Sequence, residues 1–295
     1  MDLRALALVV MAAGLHATWN ALAKRTPVGG IAFVWLTSVV ATVLYAPVAL
    51  VMVVLQPFEL GGRDVLVMAG SGLLHAAYLL ALQRGYARGD LSVVYPVARG
   101  LGPLLAVGGA VVLLGERPSG MALLGGLIIC IGVFVLGAMG ATPTRNASRD
   151  PSAPAARNGV GYALLTGVAI ASYTLWDARA VAILAAPPLV FHWGSNLARS
   201  LLLMPLAYRM RSSVALGWHS SRKEVVGVSV LGPLAYILVL VAFTLAPISY
   251  VAPAREISIV FGTLIGVRLF AEGRVVPRLA AAVGICAGVG ILATY

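Results

Sequence analysis

Three arginines, Arg99, Arg199 and Arg255, lie inside apolar stretches where an ionised side chain is hard to place. A charge in a membrane interior costs roughly 2.5–3.5 kcal/mol on insertion scales, so such a residue points to binding, gating or ion movement. A guanidinium carries paired donors that match a carboxylate or phosphate, which suits Arg99 or Arg255 to hold a substrate anion. A buried ion pair that only fastens two helices is the competing reading. Tyr95 stands four positions before Arg99 and shares its helix face. Glu256 follows Arg255 directly, and neighbours on a helix point in different directions.

Other polar groups recur at helical spacing. His192, Asn196 and Arg199 form an i, i+4, i+7 stripe on an otherwise apolar segment, a candidate gate or cavity wall. His75 and Tyr78 share a face, and Tyr236 occupies a comparable place in the second half; both tyrosines are candidate cavity rings or simply packed side chains. His16, Trp19 and Asn20 cluster in the first segment, and Trp176 with Asp177 repeats the arrangement, although a Trp near a helix end also serves as an interfacial anchor. Glu256 and Asp177 are the carboxylates suited to carry a proton, while Arg179 just beyond Asp177 gives the plainer reading that the helix ends there. Cys130 and Cys286 sit in apolar runs far from any cluster of ligands, so neither a disulfide, a metal site nor another cofactor is expected. The chain has no G-x-x-x-x-G-K-[ST], H-E-x-x-H or nucleophile elbow, and no catalytic residue is assigned.

The elements that position these groups follow from composition. The sequence is 60% hydrophobic and 11% charged with a mean hydropathy of +0.96, against roughly 25% charged in soluble domains. The deficit runs the whole length, which excludes disorder and a soluble domain on one anchor. Basic residues give a net charge of +11 but form no stripe interleaved with aromatics, so nucleic acid is not the expected partner; the lipid bilayer is. A membrane helix needs about 20 apolar residues. Ten segments qualify: 3–23, 31–55, 65–84, 91–114, 120–139, 159–180, 188–208, 225–245, 249–270 and 275–294. The polar stretch 141–158 separates 1–140 from 159–295.

The two halves resemble each other. At an offset near 156, Leu114-Gly115-Glu116 meets Phe270-Ala271-Glu272, and Ile129-Cys130-Ile131-Gly132-Val133 meets Ile285-Cys286-Ala287-Gly288-Val289. One position further, Trp19-Asn20 falls on Trp176-Asp177, Ser92 on Ser249, Pro96 on Pro253 and Arg99 on Glu256. The register predicts that Arg99 and Glu256 meet near a pseudo-twofold axis. Five helices per half is odd, so the second half enters the membrane upside down, an all-α inverted repeat of the kind that supports alternating access.

With Trp19-Asn20 and Lys24 closing the first segment, Leu114-Gly115-Glu116-Arg117 closing the fourth, and glycine-rich fifth and tenth segments, the chain resembles the drug/metabolite transporter superfamily, specifically the family of two EamA-type five-helix domains. The weaker Ala271-Glu272-Gly273-Arg274 repeats the Glu signature. The resemblance implies a central cavity lined by segments 1, 3, 4, 6, 8 and 9, gates in segments 2 and 7, and peripheral segments 5 and 10. It implies a secondary transporter and not an enzyme. The arginines then favour a small anionic or zwitterionic metabolite: an amino acid, organic acid or phosphorylated compound. The alternative is proton-coupled export of cationic or apolar compounds through Glu256 or Asp177, and an intramembrane lipid-handling protein ranks last.

Orientation is read two ways. Of 21 Lys and Arg, only Arg4, Arg63, Arg117 and Arg179 lie on the side that follows even-numbered segments or precedes the first; three are intramembrane and the rest lie opposite. The positive-inside rule then places both termini outside the cytoplasm, whereas the resemblance implies termini inside, in the cell (inner) membrane of a bacterium. Gly284 and Gly288, with Gly125 and Gly132, permit close helix contact, either within the chain or in a homodimer through segments 5 and 10.

Overall fold

A computed structural model of the chain describes residues 1–55, 60–88, 91–140, 154–270 and 275–294, with backbone alone for 91–93, 95, 137–140, 154–158, 266–270 and 275–279. Among the described residues the regular structure is entirely helical: α1 (Leu3–Ala23), α2 (Gly30–Leu55), α3 (Gly62–Arg88), α4 (Leu91–Leu114), α5 (Gly120–Gly140), α6 (Pro154–Ala182), α7 (Pro188–Arg209), α8 (Arg211–Ser220), α9 (Arg222–Leu245), α10 (Ile248–Ala254), α11 (Ser258–Phe270) and α12 (Val275–Thr294). Among the described residues, seven helical stretches are long and apolar enough to cross a membrane: Leu3–Ala23, Gly30–Leu55, Gly62–Arg88, Pro96–Leu114, Gly159–Ala182, Arg222–Leu245 and Ile248–Ile265. The chain is an integral membrane protein.

Two features go beyond the ten apolar segments. The ninth segment is not one uniform helix: a 3-10 turn at Arg255–Ile257 joins α10 to α11. Pro253 has no amide to offer the Ser249 carbonyl one turn earlier, and the backbone tightens just beyond it. The short α8, which carries Arg211, Trp218 and His219, fills a stretch that periodicity over 20 residues cannot detect.

The packing joins the two halves helix by helix. α1 lies on α9, α2 on α7, α3 on α6 and α7, α4 on α6 and α5 on α12. Tryptophans stitch α2 to α7: Trp35 Nε1 donates to the Ser200 carbonyl at 2.9 Å, and Trp193 Nε1 to that of Thr42 at 3.0 Å. The α5–α12 seam depends on missing side chains. A Cβ at Gly288 would stand 2.7 Å from the Gly125 carbonyl oxygen, and one at Gly132 would stand 2.6 Å from Ile285 Cγ1. These glycines are used within the chain, whereas a Cβ at Gly284 meets nothing within 4 Å.

The apolar core is divided. One large cluster runs from Ala5 and Val9 of α1 through Ala106 and Ala110 of α4, Val190 and Phe191 of α7 and Phe243 of α9 to Ile248 and Val251 of α10. A smaller one packs Val28, Ala32, Phe33 and Leu36 against Val225 and Val228, flanked by Trp19, Val214 and Trp218.

Candidate functional site

A cavity of about 1020 Å³ occupies the centre of the bundle, at the upper end of the roughly 300–1,000 Å³ usual for ligand sites. Its wall includes Lys24, Thr26 and Gly29 at the α1–α2 connection, Gln83 and Tyr86 in the last turns of α3, and Ser229 in α9. It therefore reaches towards the face that carries the α1–α2 connection, while Ala5, Val9, Phe243 and Val251 of the large apolar cluster pack towards the opposite end.

The charges around it are arranged unequally. Lys24, Arg99, Arg199 and Arg255 line the cavity, with His16, His75 and His192, and no Asp or Glu is among the described lining residues. The two acidic groups of this region stand behind the basic ones. Glu256, 1% exposed, places Oε2 2.9 Å from Arg99 Nη2 and Oε1 3.9 Å from Arg255 Nε. The pairing expected from the repeat register is thus present, and the 3-10 turn also brings the neighbouring Arg255 onto the same carboxylate.

Asp177 is fully buried in α6. Its Oδ2 accepts from the Tyr236 hydroxyl at 2.6 Å and lies 3.0 Å from His75 Nε2. Helix α6 ends at Ala182 with Arg179 in its last turn, as the plainer reading expected, yet Asp177 just before that turn is buried and not at a solvated end. His75 stacks on Tyr173 with ring centroids 4.1 Å apart, and Tyr236 contacts His75 edge-on at 5.4 Å and His192 at 5.2 Å. Tyr78 meets Tyr173 at 5.6 Å, which completes an aromatic wall of α3, α6, α7 and α9 residues.

The α7 stripe forms another wall. Asn196 Nδ2 donates to the Ser38 carbonyl and to Thr42 Oγ1, both at 2.8 Å, and Arg199 donates to Ser38 Oγ at 3.0 Å and to Asn196 Oδ1. His192, Asn196 and Arg199 all reach the cavity, and Asn196 and Arg199 also tie α7 to α2. On α1, Trp19 and Asn20 also line it; the Trp19 ring meets His16 at 4.9 Å, and Asn20 Nδ2 donates to the His16 carbonyl at 2.7 Å.

Trp176 departs from the expectation drawn from Trp19. It is 41% exposed on the outer side of α6, its indole donates to the Val67 carbonyl at 2.9 Å, and its ring covers Gly70. One residue along a helix is a turn of 100°, so Trp176 faces outwards because Asp177 faces inwards. The side chain of Tyr95 lies outside the described residues. Sequence reasoning missed Tyr173, Gln83, Tyr86 and Thr166 on the wall. Tyr173 was detectable, since it sits one turn before Asp177.

At the closed end, Gly115 ends α4 with φ +72°, and the Glu116 amide turns back to the Ala110 carbonyl at 3.1 Å. The Glu116 carboxylate then accepts from the backbone amides of Ile248 and Ser249, at 2.8 and 2.9 Å, capping α10. The Leu-Gly-Glu signature of the first half is thus a clasp onto the second.

No family model and no curated protein matches this chain. Solved structures do, in 29 chains. One, described as "Crystal structure of protein", has a TM-score of 0.80 at 19% identity and covers 98% of this chain and 97% of its own. At that identity the likeness shows a shared fold and nothing about activity.

Proposed function

We propose that the chain is a secondary transporter of a small anionic or zwitterionic metabolite, working by alternating access, and that it belongs with the EamA-type drug/metabolite transporters of the bacterial inner membrane. The observation that carries this reading is the cavity wall: four basic side chains, no carboxylate among the described lining residues, and two carboxylates recessed behind them. Cations around the cavity exceed the carboxylates behind them by two when Lys24, Arg99, Arg199 and Arg255 are set against Asp177 and Glu256. An anion entering such a site meets preorganised donors in a region of low dielectric. A cation would meet repulsion, which disfavours export of cationic compounds.

Support for the two-repeat architecture comes from the packing. Exchanging the halves converts the α1–α9 contact into α6–α3 and α4–α6 into the contact of α11 with α1, while α2–α7 and α5–α12 map onto themselves. That is the pattern of two five-helix units, 1–140 and 159–295, related by a twofold axis in the membrane plane. In this scheme α10, the turn and α11 form one crossing, α8 lies at the surface, and the chain crosses ten times. The cavity mouth lies on the face bearing most of the Lys and Arg, and the positive-inside rule then makes this an inward-open state with external termini. A reporter fused after Tyr295 tests that orientation.

The test of function is thermal stabilisation of the purified protein by a panel of carboxylates, phosphates, amino acids and lipophilic cations. A ligand at 100 times its dissociation constant adds about 2.7 kcal/mol. Anions or zwitterions are expected to stabilise the wild type, and Arg99→Gln or Arg255→Gln to abolish the effect. Stabilisation by cations alone, lost in Glu256→Gln, would overturn the reading.

A further inference from the structure

We propose that His75, Asp177 and Tyr236 form a proton-binding site that couples proton movement to passage of the anion; this rests on the anion-transport reading above. The geometry is asymmetric. Both donors converge on Asp177 Oδ2, the Tyr236 hydroxyl at 2.6 Å and His75 Nε2 at 3.0 Å, whereas the equally buried Oδ1 makes no hydrogen bond among the described residues. A carboxylate that only fastens helices is expected to use both oxygens. With Oδ1 unpartnered the buried carboxylate is under-satisfied as an anion, and a proton passed from His75 Nε2 to the adjacent Oδ2 relieves that.

The site also has a path. His75 and Tyr236 line the cavity and Asp177 does not, so a proton from cavity water reaches the carboxylate through the imidazole, whose second nitrogen can receive one proton as the first is passed on. The groups facing the site from each neighbouring element are Tyr78 on α3, Tyr173 on α6, and His192 and Arg199 on α7, with Arg255 in the turn before α11. The nearest charged group of α4, Arg99, is engaged by Glu256. No second carboxylate is among these groups to share the proton.

Coupling follows from which half supplies each member. His75 belongs to the first half, Asp177 and Tyr236 to the second. Any rocking of one half on the other draws His75 away from Asp177, and an ionised carboxylate would then remain in the interior without its imidazole. The movement proceeds only with the carboxyl neutral, so a bound proton becomes a condition for reorienting the site. The transported anion brings the compensating negative charge into a cavity with excess positive charge, which makes one proton per monoanion the electroneutral unit.

Two measurements test this on the full chain. Dicyclohexylcarbodiimide reacts with protonated carboxyl groups in apolar surroundings and needs no substrate. Mass spectrometry is expected to find Asp177 modified at acidic pH and protected at alkaline pH, with the pH dependence displaced in His75→Gln and Tyr236→Phe. In proteoliposomes, labelled malate, glutamate and phosphate are each assayed for exchange and for uptake driven by a pH gradient. A one-to-one symport accumulates a monoanion about tenfold per pH unit, since one unit corresponds to a tenfold change in proton activity. Asp177→Asn is expected to keep exchange and lose gradient-driven accumulation. Asp177 labelling that is absent or unchanged across pH, or an Asp177→Asn protein that still accumulates, overturns the proton site while leaving anion transport intact. Exchange of none of the three anions, with Asp177 labelled as expected, overturns the anion reading instead and leaves the proton site standing.

Discussion

The clasp formed by Glu116 gives the sharpest prediction about the closed end of the cavity. Its carboxylate accepts two backbone amides, from Ile248 and Ser249, across the boundary between the halves. Hydrogen bonds to a charged group contribute about 1.5–3 kcal/mol each when buried. Glu116 is only partly buried, so the lower end applies and the pair contributes about 2–3 kcal/mol to the closed arrangement. Glu116→Ala removes both bonds and exposes two unpaired amides at the start of α10. If the halves rock as proposed, at 1.36 kcal/mol per factor of ten the population open at this end should rise about 30- to 150-fold. Glu116→Gln keeps one neutral acceptor and loses about 1 kcal/mol, a rise of about fivefold. The assay places a reporter cysteine at Ala186, buried in the α6–α7 connection, in a background with Cys130→Ala and Cys286→Ala, and follows its reaction with a membrane-impermeant maleimide. Labelling should be slowest with the native Glu116, faster in Glu116→Gln and fastest in Glu116→Ala. A lowered melting temperature with an unchanged labelling rate would refute the clasp and leave Glu116 a merely stabilising cap.

Further outcomes follow from the same contacts. Arg99→Gln leaves Glu256 in the interior with only the more distant Arg255, which should cost about 3–5 kcal/mol, and adding Glu256→Gln should restore much of it; thermal unfolding of the single and double variants in detergent measures the coupling. Gly288→Ala drives a methyl group towards the Gly125 carbonyl and should cost about 1–3 kcal/mol, while Gly284→Ala, facing open space, should be near neutral in the same melting assay. Ala185 adopts φ +56° on the surface of the α6–α7 connection, so Ala185→Gly removes a left-handed penalty of about 1 kcal/mol and should raise the melting temperature.

Helical segments are plain in this sequence because bilayer thickness demands long apolar runs, and each of the ten segments coincides with helical backbone. What escaped is what that rule does not see. α8 is only ten residues long, and although Pro253 marks an interruption of the ninth segment, the 3-10 form of the turn at Arg255 is not written in segment length. The Arg99–Glu256 pair was legible because the repeat register supplied long-range information that local spacing lacks. The same register misplaced Trp176: it transferred the residue type from Trp19 but not its helical face. Asp177 was visible as an acid, yet its partners His75 and Tyr236 come from distant helices, and no local pattern announces such a meeting. Tyr173 needed only the four-residue step back from Asp177.

The way the helices pair also bears on how the protein is made. α1 and α2 find their main neighbours in α9, α11 and α7, and α3 finds its neighbours in α6 and α7. The first half therefore leaves the ribosome with its inward faces uncovered, and those faces carry His16, His75 and Arg99. Until α6, α7, α9 and the Arg255–Ile257 turn arrive, these polar groups must be sheltered by water at the membrane surface or by the insertion machinery. A chain truncated after 140 should be a substrate for quality control, whereas two separately expressed halves have the complementary surfaces needed to find one another in the bilayer.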